Sequence, residues 1–267
     1  MQLIETICKD LELIRKNRPL VHSITNLVVM NETANAILCL GGLPIMAHAK
    51  EEVEEMVGIA GALVLNIGTL EPDWVDAMEL AGMRANQLDI PVILDPVGAG
   101  ATTLRTKSSK RLLDSVKISV IRGNSAEIST LAGVSSEIRG VESITSGMSE
   151  EIAAEFASRM GCTVAITGPV DIVSDGNRCA RIANGDIMLS KVVGTGCTSN
   201  VIIASFAAVQ ADPFTAAVGG LVSFGVAGEL AAQEAPEKPG TFHVELYNAL
   251  YALTPDIIRE RAKIECS

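Results

Sequence analysis

ALVLNIGTLEPDWVDAMELAGMRANQLDIPVILD, residues 62–95, carries the pattern from which the fold follows. It opens on a continuous apolar run (62–67) and crosses a polar turn. Pro72 then starts a segment that turns Trp74, Met78 and Ala81 to one side, as an amphipathic helix does. The stretch closes on a second apolar run, PVILD (91–95). Runs that are apolar at successive positions, instead of alternating, belong to strands covered on both faces. Strand, helix and strand in that order make a right-handed crossover between parallel neighbours.

On either side of this stretch the same alternation repeats. LVHSI (20–24), LPIMA (43–47), ISVIR (118–122) and TVAIT (163–167) are further strands of this kind. Val53, Met56, Val57 and Ala60 fall at helical spacing, and Ser149 is placed to cap a helix carrying Ile152, Phe156 and Met160 that Gly161 stops. The expectation is a parallel sheet with helices on both faces. Late in the chain, DIVSDGNRCARIA (171–183) sets Asp-Gly-Asn between two arms and reads as a β-hairpin. Beyond Gly194 the strands are expected to cease, leaving helices over 198–209, 213–233 and 242–253. VSSEIRGVESITSG (134–147) is the most polar connection and reads as a surface loop. No linker divides the chain, so residues 1–267 are read as one domain.

Composition narrows the function. Lys+Arg 21 against Asp+Glu 32 gives a net charge of −11, which repels phosphate backbones and anionic lipid; nucleic acid and membrane surfaces are disfavoured partners. Aromatics at 3% leave few stacking platforms for single strands. The six cysteines show no CxxC and no His cluster, so they read as small apolar residues of a reducing compartment rather than disulfides or structural zinc. MQLIETICKDLELIRKNRP lacks the apolar core and cleavage pattern of a signal peptide. The uncharged stretch 192–211 is polar in its first half and suits a buried helix. A cytoplasmic protein is expected.

In an open α/β sheet, ligands bind beyond the carboxyl ends of the strands. There the sequence sets Asn26, Met46, Asp95, Arg122-Gly-Asn124 and Thr167-Gly168. VVGTGCTSN (192–200) adds two glycines running into an apolar helix that begins near Cys197 or Thr198. Glycine lets successive N–H groups converge, and a helix start adds partial positive charge, so the pair forms an anion cradle suited to a phosphoryl group. A tight turn before a core helix would look similar. No Walker A run occurs, and Gly98-Ala99-Gly100 lacks the third glycine of a dinucleotide fingerprint.

VHSITN (21–26), LNIGTL (65–70), ILDPVGAG (93–100), IRGNSAEI (121–128), AITGPVD (165–171) and GTGC (194–197) recur together in an order that resembles the hydroxyethylthiazole kinase family. The resemblance implies a three-layer α/β/α ribokinase-like fold with a mostly parallel central sheet. It implies a homotrimer with active sites at subunit contacts, and transfer of the γ-phosphoryl of ATP to 4-methyl-5-(2-hydroxyethyl)thiazole in thiamine salvage. Carried over by motif, Cys197 lies beside the substrate hydroxyl as the catalytic position. Arg122, Thr167 and Gly168 contact nucleotide, and Met46 and Gly194 contact substrate. Asp95 and Glu127 hold Mg²⁺ through waters. A thiol at a helix N-terminus has its thiolate favoured, which allows Cys197 weak base behaviour, but a loose phosphoryl-transfer transition state asks little of a base, and the backbone N–H groups of 194–197 are expected to matter more than the sulfur. Alternatives stand beside several roles: Glu127 as a first-turn residue favoured by a helix dipole, Arg122 as a surface ion-pair partner, Met46 as core. The cluster Arg105, Lys107, Lys110, Arg111 reads as a solvated helix face. A hydroxymethylpyrimidine or pyridoxal-type kinase, or a non-catalytic ligand-binding relative, remain the competing functions.

Overall fold

Continuous apolar runs have two faces to bury, and the computed structural model of the protein, which describes residues 2–134 and 146–267, shows what covers each. In chain order the strands are β1 (Leu20–Ile24), β2 (Leu43–Ile45), β3 (Ala62–Asn66), β4 (Val92–Asp95), β5 (Val120–Asn124), β6 (Thr163–Thr167), β7 (Asp171–Ser174), β8 (Cys179–Ile182) and β9 (Ile264–Cys266). Among the described residues they form one sheet, ordered β2-β1-β3-β4-β5-β6-β7-β8-β9. The first six strands pair in parallel and the last three antiparallel. The late hairpin is therefore β7–β8.

The helices are α1 (Gln2–Asn17), α2 (Met30–Leu40), α3 (Val53–Val57), α4 (Pro72–Gln87), α5 (Thr103–Ser115), α6 (Ser125–Ala132), α7 (Ser146–Met160), α8 (Thr195–Ala207), α9 (Pro213–Glu234), α10 (Pro239–Ala252) and α11 (Pro255–Arg261). Successive strand residues point to opposite faces, and the core divides accordingly. Val64, Ile93, Val120 and Ala165 join α1, α2, α8, α9 and α10 in one apolar cluster. Leu63, Leu65, Leu94, Ile121 and Val164 join α3, α4, α5, α6 and α7 in the other. These are the three layers. Proline at the first turn starts α4, α9, α10 and α11. Asp212 caps α9 by accepting the Thr215 amide (3.3 Å).

Several boundaries differ from the sequence expectations. β5 lies two residues later than 118–122, so Arg122 stands inside the strand. β2 ends at Ile45 and leaves Met46 just past it. Strands do not cease after Gly194: the C-terminal residues return as β9 on the edge beside β8. Helix α7 begins at Ser146, so Ser149 lies within its first turn and does not cap it. The surface-loop reading of 134–147 falls mostly on residues 135–145, outside the described residues. Helix α9, not 192–211, is long and apolar enough to cross a membrane, and 89% of its apolar window is buried in the core. The basic cluster is not uniformly solvated either. Arg105 donates to the carbonyls of Ile67, Gly68 and Val97 (2.8–3.1 Å) and Arg111 pairs with Asp76 and Glu79, while Lys107 and Lys110 are exposed.

Candidate active site

The chain leaves β1 through α2 to one side, forming β2, then returns through α3 to place β3 on the other side of β1. The two crossovers cover opposite faces, since α2 packs in one apolar cluster and α3 in the other. Such a reversal opens a crevice at the carboxyl ends of the central strands. Asn26 follows β1 there, and Asn66 and Asp95 close β3 and β4 side by side, as direct partners in the parallel register.

Helix α8 starts at the same end. It begins at Thr195, so Thr195, Gly196 and Cys197 form its first turn, earlier than the sequence indicates. Gly194 adopts φ +84°, where a side chain is strained, and a Cβ there would meet Val29 Cγ1 at 2.5 Å. The first amide with a helical partner is that of Thr198, donating to Gly194 O (2.8 Å). The amides of Thr195, Gly196 and Cys197 have no acceptor among the described residues, as the first turn of a helix requires. Thr195 Oγ1 donates to Leu189 O (2.8 Å), which fixes the turn before the helix.

Beside these amides lies a cleft of about 540 Å³ lined by Arg122, Thr167, Gly168, Asp171, Thr195 and Gly196, with Leu189 and Phe224 among its apolar walls. Arg122 is 9% exposed; its Nη2 donates to Thr167 Oγ1 (2.5 Å) and its Nε has no partner among the described residues. A Cβ on Gly196 would meet Arg122 Nη1 at 2.9 Å, so with any other residue here the guanidinium would have to shift away from the start of α8. A fixed cation, a hydroxyl and unpaired helix-start amides converge on one space. That is the chemistry of a phosphate site.

Asp95 lies next to it, 1% exposed. Burial pushes its carboxyl up to about 6 and neighbouring Glu127 adds to the rise; Arg122 opposes it, with smaller help from Cys197 and Asn200. Cys197 does not behave as the sequence implies. Burial first, then the Asp95 charge, push its thiol up to about 12, the opposite direction to that in which a helix start acts, and this favours the neutral thiol. Asn26 Nδ2 reaches its sulfur at 3.6 Å.

Arg122, Thr167 and Gly168 thus share one cleft wall with Gly196, and Asp95 and Cys197 stand together behind it. Met46 does not line that cleft; it is half-buried against the α1-side core. Glu127 forms a capping box with Asn124, its Oε2 accepting the Asn124 amide and its Oε1 the Gly98 amide (both 2.8 Å). Glu127 thus stands in the first turn of α6, and it also ties the ILDPVGAG turn to that helix. Asp171, whose Oδ1 accepts the Gly168 amide (3.0 Å), is a site residue that sequence reasoning misses. Asn66 is another. Aligning the polar residues that close the runs 62–67 and 91–95 pairs Asn66 with Asp95, and that signal could have found it.

Comparison with known proteins agrees with this geometry. Residues 11–256 match the model of the hydroxyethylthiazole kinase family. A hydroxyethylthiazole kinase from Thermoanaerobacter pseudethanolicus is 54% identical over 258 residues, covering 96% of this chain and 97% of that one. The solved hydroxyethylthiazole kinase of Pyrococcus horikoshii superposes with a TM-score of 0.92 at 45% identity, covering 98% and 99% of the two chains. A ribokinase-like superfamily protein from Enterococcus faecalis shares the fold at 14% identity, with a TM-score of 0.61 and 88% of each chain covered.

Proposed function

The chain belongs to the hydroxyethylthiazole kinase family, and on that basis we propose that its crevice transfers the γ-phosphoryl group of ATP to the hydroxyl of 4-methyl-5-(2-hydroxyethyl)thiazole, for thiamine salvage. The observation that carries this reading is the cleft that Arg122 lines together with Thr195 and Gly196, whose helix-start amides have no acceptor among the described residues. Phosphoryl transfer needs positioning and charge stabilisation more than covalent help. Arg122 and Thr167 hold nucleotide phosphate oxygens, and Gly168 lets the backbone approach them. The α8 amides stabilise charge that grows on the transferring group. Cys197 lines the acceptor hydroxyl as a neutral thiol, so the base role gives way to that of a wall. Gly194 and Met46 border the alcohol.

Asp95 and Glu127 fit a Mg²⁺ ion only loosely. Among the described residues no group of three or more His, Cys, Asp or Glu could hold a metal. The two carboxylates do lie close enough for Glu127 to raise Asp95, and a buried acid held at about 6 gains from any cation beside it. Two hard oxygens suit an ion that keeps waters and phosphate oxygens as its other ligands. When bound there, Mg²⁺ supplies charge neutralisation to the phosphates.

We further propose a homotrimer with sites at subunit contacts. Leu27, Val28 and Val193 are 62%, 61% and 66% exposed and flank the contact of Gly194 with Val29, which supports an apolar neighbour at the mouth of the site. Residues 1–267 are taken as one kinase domain, supported by the continuous sheet. Six unpaired cysteines support a cytoplasmic setting. The test is coupled ADP formation with the thiazole alcohol, a hydroxymethylpyrimidine and pyridoxal, each with and without Mg²⁺. ADP release dependent on the thiazole alcohol is expected; ATP binding without ADP, or preference for another alcohol, would overturn it.

A further inference from the structure

Asn66 closes β3 at 1% exposure, inside a motif whose function the nucleotide and metal roles do not use. Its amide orientation follows from its partners. The backbone N–H of Gly68 can only donate, and it donates to Asn66 Oδ1 (2.9 Å); the nitrogen therefore faces Asp95, donating to Oδ2 at 2.6 Å. The same logic fixes Asn26. The Val28 N–H donates to Asn26 Oδ1 (3.1 Å), which turns Nδ2 toward Asn66 Oδ1 (2.9 Å) and Cys197 Sγ (3.6 Å). Backbone donors thus set the direction of a side-chain relay from Asn26 through Asn66 to Asp95. A Cβ on Gly68 would meet the Asn26 side chain at 2.5–2.8 Å, so the backbone closes over this pair without slack.

We propose that Asn66 is a positioning residue for phosphoryl transfer: a buried amide that holds the Asp95 carboxylate and, through Asn26, the Cys197 thiol in one arrangement. A neutral amide is the fitting side chain for this task. Lysine or arginine at position 66 would grip the carboxylate and also cancel its charge. Asparagine fixes one oxygen and leaves the charge to act on what Asp95 faces. Burial leaves little water to replace the lost donor, and a misplacement near 1 Å at a reacting centre costs on the order of 100-fold.

The inference rests on the kinase reading above, and the test separates the two. Steady-state kcat and both KM values are measured for the full-length protein and for Asn66→Ala, Asn66→Asp, Asn26→Ala and the Asn26→Ala/Asn66→Ala double variant. The expected result is a fall in kcat of at least about 30-fold for Asn66→Ala, with KM for ATP and for the alcohol within about threefold. The double variant loses less than the product of the single losses, because the two amides act as one unit. Asn66→Asp keeps the size and the acceptor for Gly68 but sets a second buried carboxyl against Asp95, so that the two share one proton and the Asp95 carboxylate is no longer held by a neutral amide. It is read in place of Asn66→Ala should that variant fail to fold, and it loses at least as much kcat. Values of kcat within about threefold of the parent, a loss confined to KM, or strictly multiplicative losses would overturn the positioning role while leaving the kinase reading intact. A parent protein that makes no ADP with the alcohol would overturn both.

Discussion

Asp95 shows within one side chain how function sets itself against stability. Its carboxyl titrates at 3.8 when free and at about 6 in the fold, because burial disfavours the charge. A raised acid pKa means that the folded state holds the proton more tightly than the unfolded chain between about pH 4 and 6. The group's contribution to stability therefore falls as pH rises through that window and stays low above it. Each tenfold change in proton affinity is worth about 1.4 kcal/mol. Asp95→Asn is thus expected to stabilise the protein by roughly 2–3 kcal/mol at pH 7.5 and by nearly nothing at pH 4, while abolishing turnover. Urea unfolding at the two pH values checks this; equal stabilisation at both would contradict the burial argument. Arg122→Lys keeps charge but loses the planar fork, and should raise KM for ATP about tenfold with a smaller change in kcat, read by initial rates. Cys197→Ala, which removes a neutral thiol, should cost less than roughly 10³-fold in kcat; a larger loss would restore the sulfur as an acid–base group.

The start of α8 is the element on which the site turns, and it is only partly legible in the sequence. GTGC announces a glycine turn into a helix, but apolar periodicity begins at Val201, so the first turn carries no signal and the sequence puts the start two or three residues late. Strands are plainer where both faces are buried: β1 and β6 match the expected runs residue for residue, whereas the three-residue edge strand β9, half-exposed and lacking a run of apolar residues, gives no comparable signal. Charge and partner are less readable than position. The Cys197 thiol is raised first by burial and then by Asp95, which is 102 positions away in sequence and adjacent only in the fold. The first turn itself is tested by Gly194→Ala, which forces a side chain into φ +84° and against Val29. It is expected to destabilise by about 1–3 kcal/mol and to lower kcat/KM; an unchanged thermal midpoint and rate would show that the turn tolerates a side chain.

Across the full chain, two crossovers on opposite faces open the crevice, and exposed apolar side chains at its rim support a neighbouring copy. Replacing Val28 by Glu should break a trimer into smaller species by analytical ultracentrifugation and lower kcat with it. An unaltered mass with full activity would remove the subunit contact from the site. The fold supplies the cradle whatever the assembly. Its decisive test is a crystal structure of the protein with a non-hydrolysable ATP analogue and the thiazole alcohol. The terminal phosphate oxygens should lie within hydrogen-bonding distance of the Gly196 and Cys197 amides, with Arg122 on the adjoining phosphate. A nucleotide bound elsewhere, with those amides facing water, would contradict the account.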